Sequence, residues 1–173
     1  MRVFLIGFMA SGKSTYGKKL ASKLDVSFID LDEKIEDSRG ASIRYLMVKY
    51  GEDEFRKIER EILKNTIEVN DHCIIATGGG TPCFEDNMEL MNRSGKTIYI
   101  EVDTGVLVNR LIESKKDRPL IWGKTPDDLK AYASNLLNQR KKYYESADSK
   151  VSGKSLKMED LIELMPDEMG VKS

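Results

Sequence analysis

The feature that most constrains the fold lies at residues 7–14, where the sequence is Gly-Phe-Met-Ala-Ser-Gly-Lys-Ser. These residues match the phosphate-binding loop pattern G-x-x-x-x-G-K-[ST] at every fixed position. The flanks fit as well, because residues 2–6 form an apolar run suited to a buried strand and residues 15–24 can form a helix with an apolar face. An ordinary tight turn with a surface lysine would not require this order of elements. The sequence therefore predicts a nucleotide-binding α/β protein.

The loop residues are expected to hold a polyphosphate. Backbone N–H groups of the loop point inward at phosphate oxygens, and the N-terminus of the following helix adds a favourable field for an anion. Lys13 is expected to neutralise the β- and γ-phosphates of ATP, and the Ser14 hydroxyl to ligate Mg²⁺. The nucleotide contacts predicted here are Gly7, Ala10, Ser11, Gly12, Lys13, Ser14 and Thr15.

Composition and charge narrow the class of protein. With 173 residues, 40% hydrophobic and 33% charged, the chain has the make-up of a soluble globular protein with one sizeable core. Its 28 basic and 29 acidic residues nearly balance, so no basic excess points to nucleic acid.

Cys73 and Cys83 lack metal-ligand spacing, which predicts reduced thiols of an intracellular protein. No run approaches the ~20 apolar residues of a membrane span, and the apolar residues 3–10 lead into the phosphate loop, so we expect a cytoplasmic location.

Strand and helix signals alternate along the rest of the chain. Further strands are predicted at residues 26–29, 72–77, 97–102 and 149–152. This alternation predicts an α/β fold, a P-loop NTPase-type three-layer sandwich with a five-stranded parallel sheet and helices on both faces. We expect one domain over residues 1–173, with an acceptor-binding helical insertion at about 31–62. A long loop bounded by prolines, at about 114–126, is typical of a mobile lid, although Trp122 could instead anchor it to the core.

Two carboxylates follow the second strand. Asp30 and Asp32 would lie on one side of an extended segment, because side chains of a strand alternate. Open α/β sheets bind ligands at the carboxyl ends of their strands, and Mg²⁺ at the loop would relieve the repulsion between the two charges. The competing interpretation is that one of the two aspartates only caps the following helix.

Two further features are ambiguous by themselves. A helix after Gly51 has an apolar stripe from which Arg56 and Glu59 are displaced, and spacing alone favours a solvated ion pair of the two. The run Gly78-Gly79-Gly80, straight after a buried strand, indicates close approach of the backbone to a ligand in preference to a flexible linker.

The phosphate loop alone does not separate a kinase from a motor or a switch. The Asn-Lys-x-Asp element of a GTPase is absent, and the third strand ends in threonine and glycines where a switch protein usually has an aspartate. A mechanical ATPase would be larger or carry partner-facing features. These exclusions leave a small phosphotransferase.

Taken together, the motifs resemble those of the shikimate kinase family. The loop is joined, in the family's order and spacing, by Asp30-Leu31-Asp32, Phe55-Arg56-x-x-Glu59, Gly78-Gly79-Gly80, Arg118-Pro119-Leu120 and Arg140-x-x-x-Tyr144-x-x-Ala147. The match covers residues 1 to about 150, and the Phe-Arg element argues against a solvated Arg56. The sequence departs from the family in Met9-Ala10 within the loop and in Thr81-Pro82 after the glycines.

The resemblance implies roles by position. Asp32 and Gly80 would hold the ring hydroxyls of shikimate, while Arg56 and Arg140 would clamp its carboxylate, since a guanidinium fork matches a planar carboxylate. The implied substrate-binding set is Asp32, Arg56, Gly78, Gly79, Gly80 and Arg140.

The remaining implied roles concern the nucleotide and the metal. Arg118 looks like the lid arginine that closes over the transferring phosphoryl group, and Arg110 like the residue covering the adenine. Asp30 would hold Mg²⁺ through water, together with Ser14. The implied catalytic residues are Lys13, Asp32 and Arg118.

The implied reaction transfers the γ-phosphoryl group of ATP to the 3-hydroxyl of shikimate, giving shikimate 3-phosphate and ADP, a step of chorismate and aromatic amino acid biosynthesis. Asp32 would orient the hydroxyl and is the candidate base. We expect a monomer. The alternatives are a gluconate or nucleoside monophosphate kinase of the same fold, and a non-catalytic nucleotide-dependent binding module.

Overall fold

A computed structural model of the chain describes residues 1–113 and 123–169. The strands of this part are β1 (Arg2–Ile6), β2 (Ser27–Asp30), β3 (Cys73–Ala76), β4 (Lys96–Glu101) and β5 (Ser149–Ser152). They form a five-stranded sheet in the order β2-β3-β1-β4-β5, and every neighbouring pair is parallel. The predicted parallel α/β sheet is confirmed, with each strand within a residue or so of its expected position.

Helices connect the strands. They are α1 (Lys13–Leu24), α2 (Leu31–Arg39), α3 (Ile43–Tyr50), α4 (Glu52–Val69), α5 (Asn87–Ser94), α6 (Thr104–Glu113), α7 (Pro126–Tyr144) and α8 (Met158–Ile162), with short 3₁₀ turns at Thr81–Cys83 and Asp167–Met169. The sequence did not predict α5. A final short helix, which the sequence predicts at residues 158–165, ends earlier, at Ile162. None of the helices in residues 1–113 and 123–169 has the length and apolar character that a membrane crossing needs.

The helices cover both faces of the sheet. Leu5 of β1 faces α1, since a Cβ atom on Gly17 of that helix would lie 3.2 Å from Leu5 Cδ1. The next residue, Ile6, is in register with Tyr99 of β4, whose ring packs on Tyr144 of α7 with 5.2 Å between centroids. Because consecutive residues of a strand point to opposite faces, α1 and α7 lie on opposite sides of the sheet. The arrangement has three layers, which explains why β1 is an almost unbroken apolar run.

The start of α2 corrects the sequence-based interpretation of the two carboxylates. β2 ends at Asp30, and Asp32 lies in the first turn of α2. Asp30 is the N-cap, because its Oδ1 accepts hydrogen bonds from the backbone N–H groups of Asp32 at 3.1 Å and Glu33 at 3.4 Å. Satisfying these two donors ends the strand and starts the helix. The prediction of one extended segment carrying both carboxylates is wrong, whereas the competing interpretation, that one of the two aspartates caps the helix, holds for Asp30.

The structure describes the two cysteines but not most of the expected lid. The expected lid at about 114–126 lies mostly outside the described residues, as do Arg118 and Trp122. Both cysteines are free thiols, with Cys73 buried in β3 and Cys83 half-buried in the 3₁₀ turn after the glycine run.

Candidate active site

The carboxyl ends of β1, β2 and β3 open into a cavity of about 820 Å³. Residues from the phosphate loop, from the start of α2, from α3 and α4 and from the glycine run line it. The predicted site residues that line it are Ala10, Gly12, Lys13, Ser14, Thr15, Asp30, Asp32, Arg56, Gly78, Gly79, Gly80, Arg110 and Arg140. Gly7 and Ser11 belong to the loop but do not line the cavity, and Arg118 lies outside the described residues.

The phosphate loop turns tightly around the position of its lysine. Gly7 and Gly12 have φ of 143° and 101°, and Ala10 has φ of 64°, all in the left-handed region. A side chain on Gly7 would also lie 2.7 Å from the backbone oxygen of Ile100. Lys13 Nζ donates to the backbone oxygens of Gly7 and Phe8, both at 2.8 Å. The loop thus holds a buried ammonium group where a polyphosphate needs positive charge.

Ser14 and Asp30 place two oxygen atoms that could ligate a metal ion close together beside the loop. The Ser14 hydroxyl donates to a carboxylate oxygen of Asp30, so the first turn of α1 contacts the end of β2. Hydroxyl and carboxylate oxygens of this kind suit Mg²⁺, which takes few protein ligands and keeps water and phosphate oxygens for the rest. Within residues 1–113 and 123–169, no cluster of three or more His, Cys, Asp or Glu side chains is placed to hold a metal by itself.

Arg56 and Glu59 of α4 form a buried ion pair. Arg56 Nη1 lies 2.7 Å from Glu59 Oε2, and the two residues are 9% and 0% exposed. Burial opposes the charge of Arg56, but the carboxylates of Glu59 and, to a lesser degree, Glu52 together outweigh it, so the pKa of the guanidinium is raised above its usual value. The solvated pair favoured from spacing alone is wrong, because this face of α4 packs against the 3₁₀ turn that follows the glycine run.

The glycine run is required by the space its neighbours occupy. A Cβ atom on Gly80 would lie 2.2 Å from Arg56 Nη2, and one on Gly78 would lie 2.8 Å from Glu59 Oε1. A Cβ atom on Gly79 would lie 3.3 Å from Arg140 Nη1. The sequence indicated that a ligand approaches this backbone closely. In the structure, the groups that approach it are the side chains of Arg56, Glu59 and Arg140, which also line the cavity.

Arg140 of α7 is a buried cation beside the same backbone. It is 6% exposed and its guanidinium lies over the Phe8 ring, 5.8 Å from the centroid. In the described part of the chain, no carboxylate lies within 4.0 Å of this guanidinium. One turn later, the Tyr144 hydroxyl donates to the backbone oxygen of Gly79 at 2.6 Å and holds α7 against the glycine run. Because a buried charge without a counter-charge is costly, the Arg140 site fits an anionic ligand.

Arg110 and Tyr16 enclose the other side of the phosphate loop. Arg110 Nη1 donates to the Ala10 oxygen at 3.2 Å, and its Nη2 to the Gly153 oxygen at 3.5 Å. The Tyr16 hydroxyl donates to the Leu156 oxygen at 3.2 Å. Both side chains line the cavity and join the loop region to the segment after β5. The sequence indicated Arg110 only through the family resemblance.

Several residues that line the cavity were not predicted as site residues, among them two that carry polar groups large enough to reach a ligand. Tyr16 and Arg44 line the cavity from α1 and α3. Each lies near a recognised motif, but no spacing rule marks either residue. Only the position of Tyr16, two residues after the last residue of the loop pattern, could have drawn attention to it.

Comparison with known proteins assigns the family. A family model described as shikimate kinase matches residues 9–167. The chain belongs to the shikimate kinase family. It is therefore an enzyme of the kinase class, and the resemblance carried by its motifs is confirmed.

Curated and solved shikimate kinases match over most of the chain. The shikimate kinase of Azobacteroides pseudotrichonymphae is 45% identical over 95% of this chain and 98% of its own length. The crystal structure of the Bacteroides thetaiotaomicron shikimate kinase superposes with a TM-score of 0.89 at 38% identity, over 95% of this chain and 97% of that one. The Acinetobacter baumannii shikimate kinase, crystallised in complex with shikimate, has a TM-score of 0.83 at 30% identity, over 92% of this chain and 87% of that one. This family membership makes the cavity the candidate active site.

Proposed function

We propose that this shikimate kinase family member transfers the γ-phosphoryl group of ATP to the 3-hydroxyl of shikimate in the cavity at the carboxyl ends of β1, β2 and β3. The products are shikimate 3-phosphate and ADP. The observation that carries the proposal is the buried pair Arg56 and Arg140, because two guanidinium groups beside the glycine run select a small acid over an uncharged polyol. The phosphate loop lines the same cavity, as phosphoryl transfer between the two ligands requires.

At the nucleotide end, the loop residues 7 and 10–15 bind the phosphates through backbone N–H groups and Lys13. Arg110 covers the base, and Arg118, outside the described residues, supplies a further cation from the lid at about 114–126. Ser14 and Asp30 would hold Mg²⁺, which when bound supplies positive charge to the β- and γ-phosphate oxygens. In a loose transition state these cations matter more than covalent chemistry, because charge builds on the equatorial oxygens.

At the acceptor end, Arg56 and Arg140 bind the carboxylate and Asp32 orients the hydroxyl. The Asp32 carboxylate lies beside the glycine run, since a Cβ atom on Gly78 would be 2.9 Å from its Oδ1. The hydroxyl oxygen forms a bond to the γ-phosphorus, the bond from that phosphorus to the oxygen bridging it to the β-phosphate breaks, and the hydroxyl proton passes late to Asp32. We propose that the helical residues of about 31–62 form the acceptor-binding element.

We also propose that the enzyme acts as a monomer in the cytoplasm. The free thiols Cys73 and Cys83 support a reducing compartment. The balance of 28 basic and 29 acidic residues gives no support to nucleic acid as a partner.

Replacing Arg140 by alanine tests the acceptor site. Arg140→Ala should raise KM for shikimate about 10- to 100-fold, the range that a charge-assisted hydrogen bond is worth, and leave KM for ATP within about twofold. Steady-state assays of ADP release, with each substrate varied in turn, give both constants. Arg39→Ala is the matched control, because Arg39 makes an exposed ion pair with Glu61 away from the cavity.

The same assay separates the alternatives. Shikimate, gluconate, AMP and no acceptor are compared at equal concentration with the unaltered enzyme. ADP release that is greatest with gluconate or AMP would replace the proposed acceptor, and release independent of any acceptor would remove phosphoryl transfer to a small alcohol. An equal rise of KM for ATP and shikimate in Arg140→Ala would contradict the carboxylate-binding role.

A further inference from the structure

A series of buried hydrogen bonds connects Arg56 to Glu59, Thr81 and Asn87. Thr81 Oγ1 donates to Glu59 Oε1 at 2.6 Å, while Glu59 Oε2 accepts from Arg56 Nη1 at 2.7 Å. Thr81 and Glu59 are both 0% exposed. Each oxygen of the carboxylate therefore has its own donor, one on the 3₁₀ turn after the glycines and one on α4.

Asn87 anchors the far end of this series. It is 0% exposed, and its Nδ2 donates to the backbone oxygen of Thr81 at 2.9 Å. Its Oδ1 accepts from Arg60 Nη1 at 2.5 Å, and Arg60 in turn pairs with the surface carboxylates of Glu85, at 2.8 Å, and Asp86. The 3₁₀ turn is thus fixed between α4 and the start of α5.

We infer that Thr81 is a positioning residue for shikimate binding, with Asn87 in support, and that it acts through Glu59 on Arg56. The inference rests on the proposed role of Arg56 in binding the shikimate carboxylate. It adds the Thr81 hydroxyl as the group that controls how many N–H groups of the Arg56 guanidinium remain available to the shikimate carboxylate.

The physical reason is competition for one guanidinium. A buried carboxylate oxygen without a donor is unfavourable, so Glu59 deprived of the Thr81 hydroxyl would turn both oxygens toward Arg56. Bidentate pairing would satisfy Glu59 at the expense of the cavity-facing N–H groups of Arg56. The Thr81 hydroxyl keeps Glu59 bound to Arg56 through one oxygen. The other terminal nitrogen of Arg56, Nη2, then pairs with the more exposed Glu52 carboxylate, at 3.3 Å, which an anion in the cavity can displace.

Valine and serine at position 81 separate the hydroxyl from the shape. Thr81→Val should raise KM for shikimate about tenfold, with KM for ATP within about twofold of the unaltered enzyme. Thr81→Ser restores the donor and should return KM for shikimate to within about twofold. If Thr81→Val folds poorly, Thr81→Ala takes its place, because alanine removes the hydroxyl without placing a methyl group against the carboxylate. Thr81→Ala should raise KM for shikimate by a similar factor.

Thr66→Val is the matched control for a lost buried hydroxyl. Thr66 lies on the same helix as Glu59, is 0% exposed, and donates to the backbone oxygen of Ile62 at 2.7 Å. This variant should lower the thermal midpoint and leave KM for both substrates unchanged. A selective rise of KM for shikimate in Thr66→Val equal to that in Thr81→Val would reduce the Thr81 effect to general destabilisation and overturn the inference.

A double-mutant cycle with Arg56→Ala distinguishes this inference from the proposed function. Once Arg56 is removed, Thr81→Val should raise KM for shikimate no further, because Glu59 has no guanidinium to redirect. An additive rise would mean that Thr81 acts by another route and would overturn the inference. If Arg56→Ala raises KM for shikimate but Thr81→Val does not, the inference alone is wrong. If Arg56→Ala leaves it unchanged, the proposed carboxylate site fails, and the inference with it.

Discussion

Gly80 is constrained by its surroundings and not by its backbone conformation. Its φ of −92° and ψ of −14° are open to any residue, so alanine would carry no dihedral strain. The space is instead occupied by the Arg56 guanidinium, with the nearest nitrogen 2.2 Å from where a Cβ atom would lie. Because that group is the far end of a flexible side chain, it can move away, and the cost falls on the site more than on the fold.

Gly80→Ala should therefore separate binding from stability. We expect KM for shikimate to rise at least about tenfold, KM for ATP to stay within about twofold, and the free energy of unfolding to fall by no more than about 2 kcal/mol. Steady-state kinetics and urea denaturation measure the two effects.

Gly105→Ala provides the control for Gly80→Ala. Gly105 lies on α6 with open space where a Cβ atom would be, so alanine there should stabilise the helix by about 0.5–1 kcal/mol and leave both KM values unchanged. A Gly80→Ala protein that unfolds readily while keeping its affinity for shikimate would show that Arg56 does not occupy this space in solution.

At the scale of elements, the start of α2 joins folding to the proposed metal site. One oxygen of Asp30 caps the helix by accepting from the backbone N–H groups of Asp32 and Glu33. The other oxygen accepts from the Ser14 hydroxyl on α1. The same residue thus ends β2, begins α2 and presents a carboxylate beside the phosphate loop, which explains why an aspartate suits this position better than another capping residue.

Substitution of Asp30 can test the two roles separately. Asp30→Asn keeps an oxygen for the cap and should leave the free energy of unfolding within about 0.5 kcal/mol, whereas Asp30→Ala should lower it by about 1 kcal/mol. Both variants lose the charge, so both should need several times more Mg²⁺ for half-maximal activity. Denaturation without nucleotide and Mg²⁺ titration of the rate provide the measurements.

The cap of α3 supplies the comparison for Asp30. Ser42 accepts from the backbone N–H of Tyr45 at 3.1 Å, so Ser42→Ala removes a helix cap without removing a charge. It should lower stability about as much as Asp30→Ala does and leave the Mg²⁺ requirement unchanged. An unchanged Mg²⁺ requirement in Asp30→Asn as well would remove Asp30 from the proposed metal site.

Elements were predictable where the signal is local. The strands and α1 follow from apolar runs and from the loop motif. Helix α5 was missed because its eight residues are mostly polar around two buried methionines. The burial of Arg56 and Glu59 was also missed from spacing, because the groups that cover them come from the glycine run about 20 residues later in the sequence. Only the motif resemblance indicated that Arg56 faces a ligand.

At the scale of the whole molecule, strand order brings the two ends of the site together. β1 lies between β3 and β4, so the phosphate loop after β1 and the glycine run after β3 leave neighbouring strands at the same edge of the sheet. A Cβ atom on Gly79 would lie 3.1 Å from the backbone nitrogen of Met9. The parallel topology therefore places the phosphate loop against the proposed acceptor site, and α7 adds Arg140 from the face opposite α1.

The molecule also buries weak acids that fold in their neutral form. Burial raises the pKa of the Cys83 thiol to about 11 and that of the Tyr99 phenol to about 12, and it raises the pKa of Tyr144 as well. In the unfolded chain these groups ionise near their usual values of 9.0 and 10.0. Between those values and the raised ones, the unfolded state binds fewer protons than the native state, so stability falls as pH rises.

We expect the free energy of unfolding to change little between about pH 7 and 8.5 and to fall between about pH 9 and 12, by up to ~1.4 kcal/mol per pH unit for each such group. Urea denaturation at a series of pH values measures the slope. Tyr99→Phe should make it shallower above pH 10, while Tyr45→Phe, at a half-exposed tyrosine of α3, should leave it as in the unaltered protein. A slope that Tyr99→Phe does not change would mean that the Tyr99 hydroxyl reaches water in the folded protein, and that the packing of β4 against α7 is looser than its 5.2 Å ring contact implies.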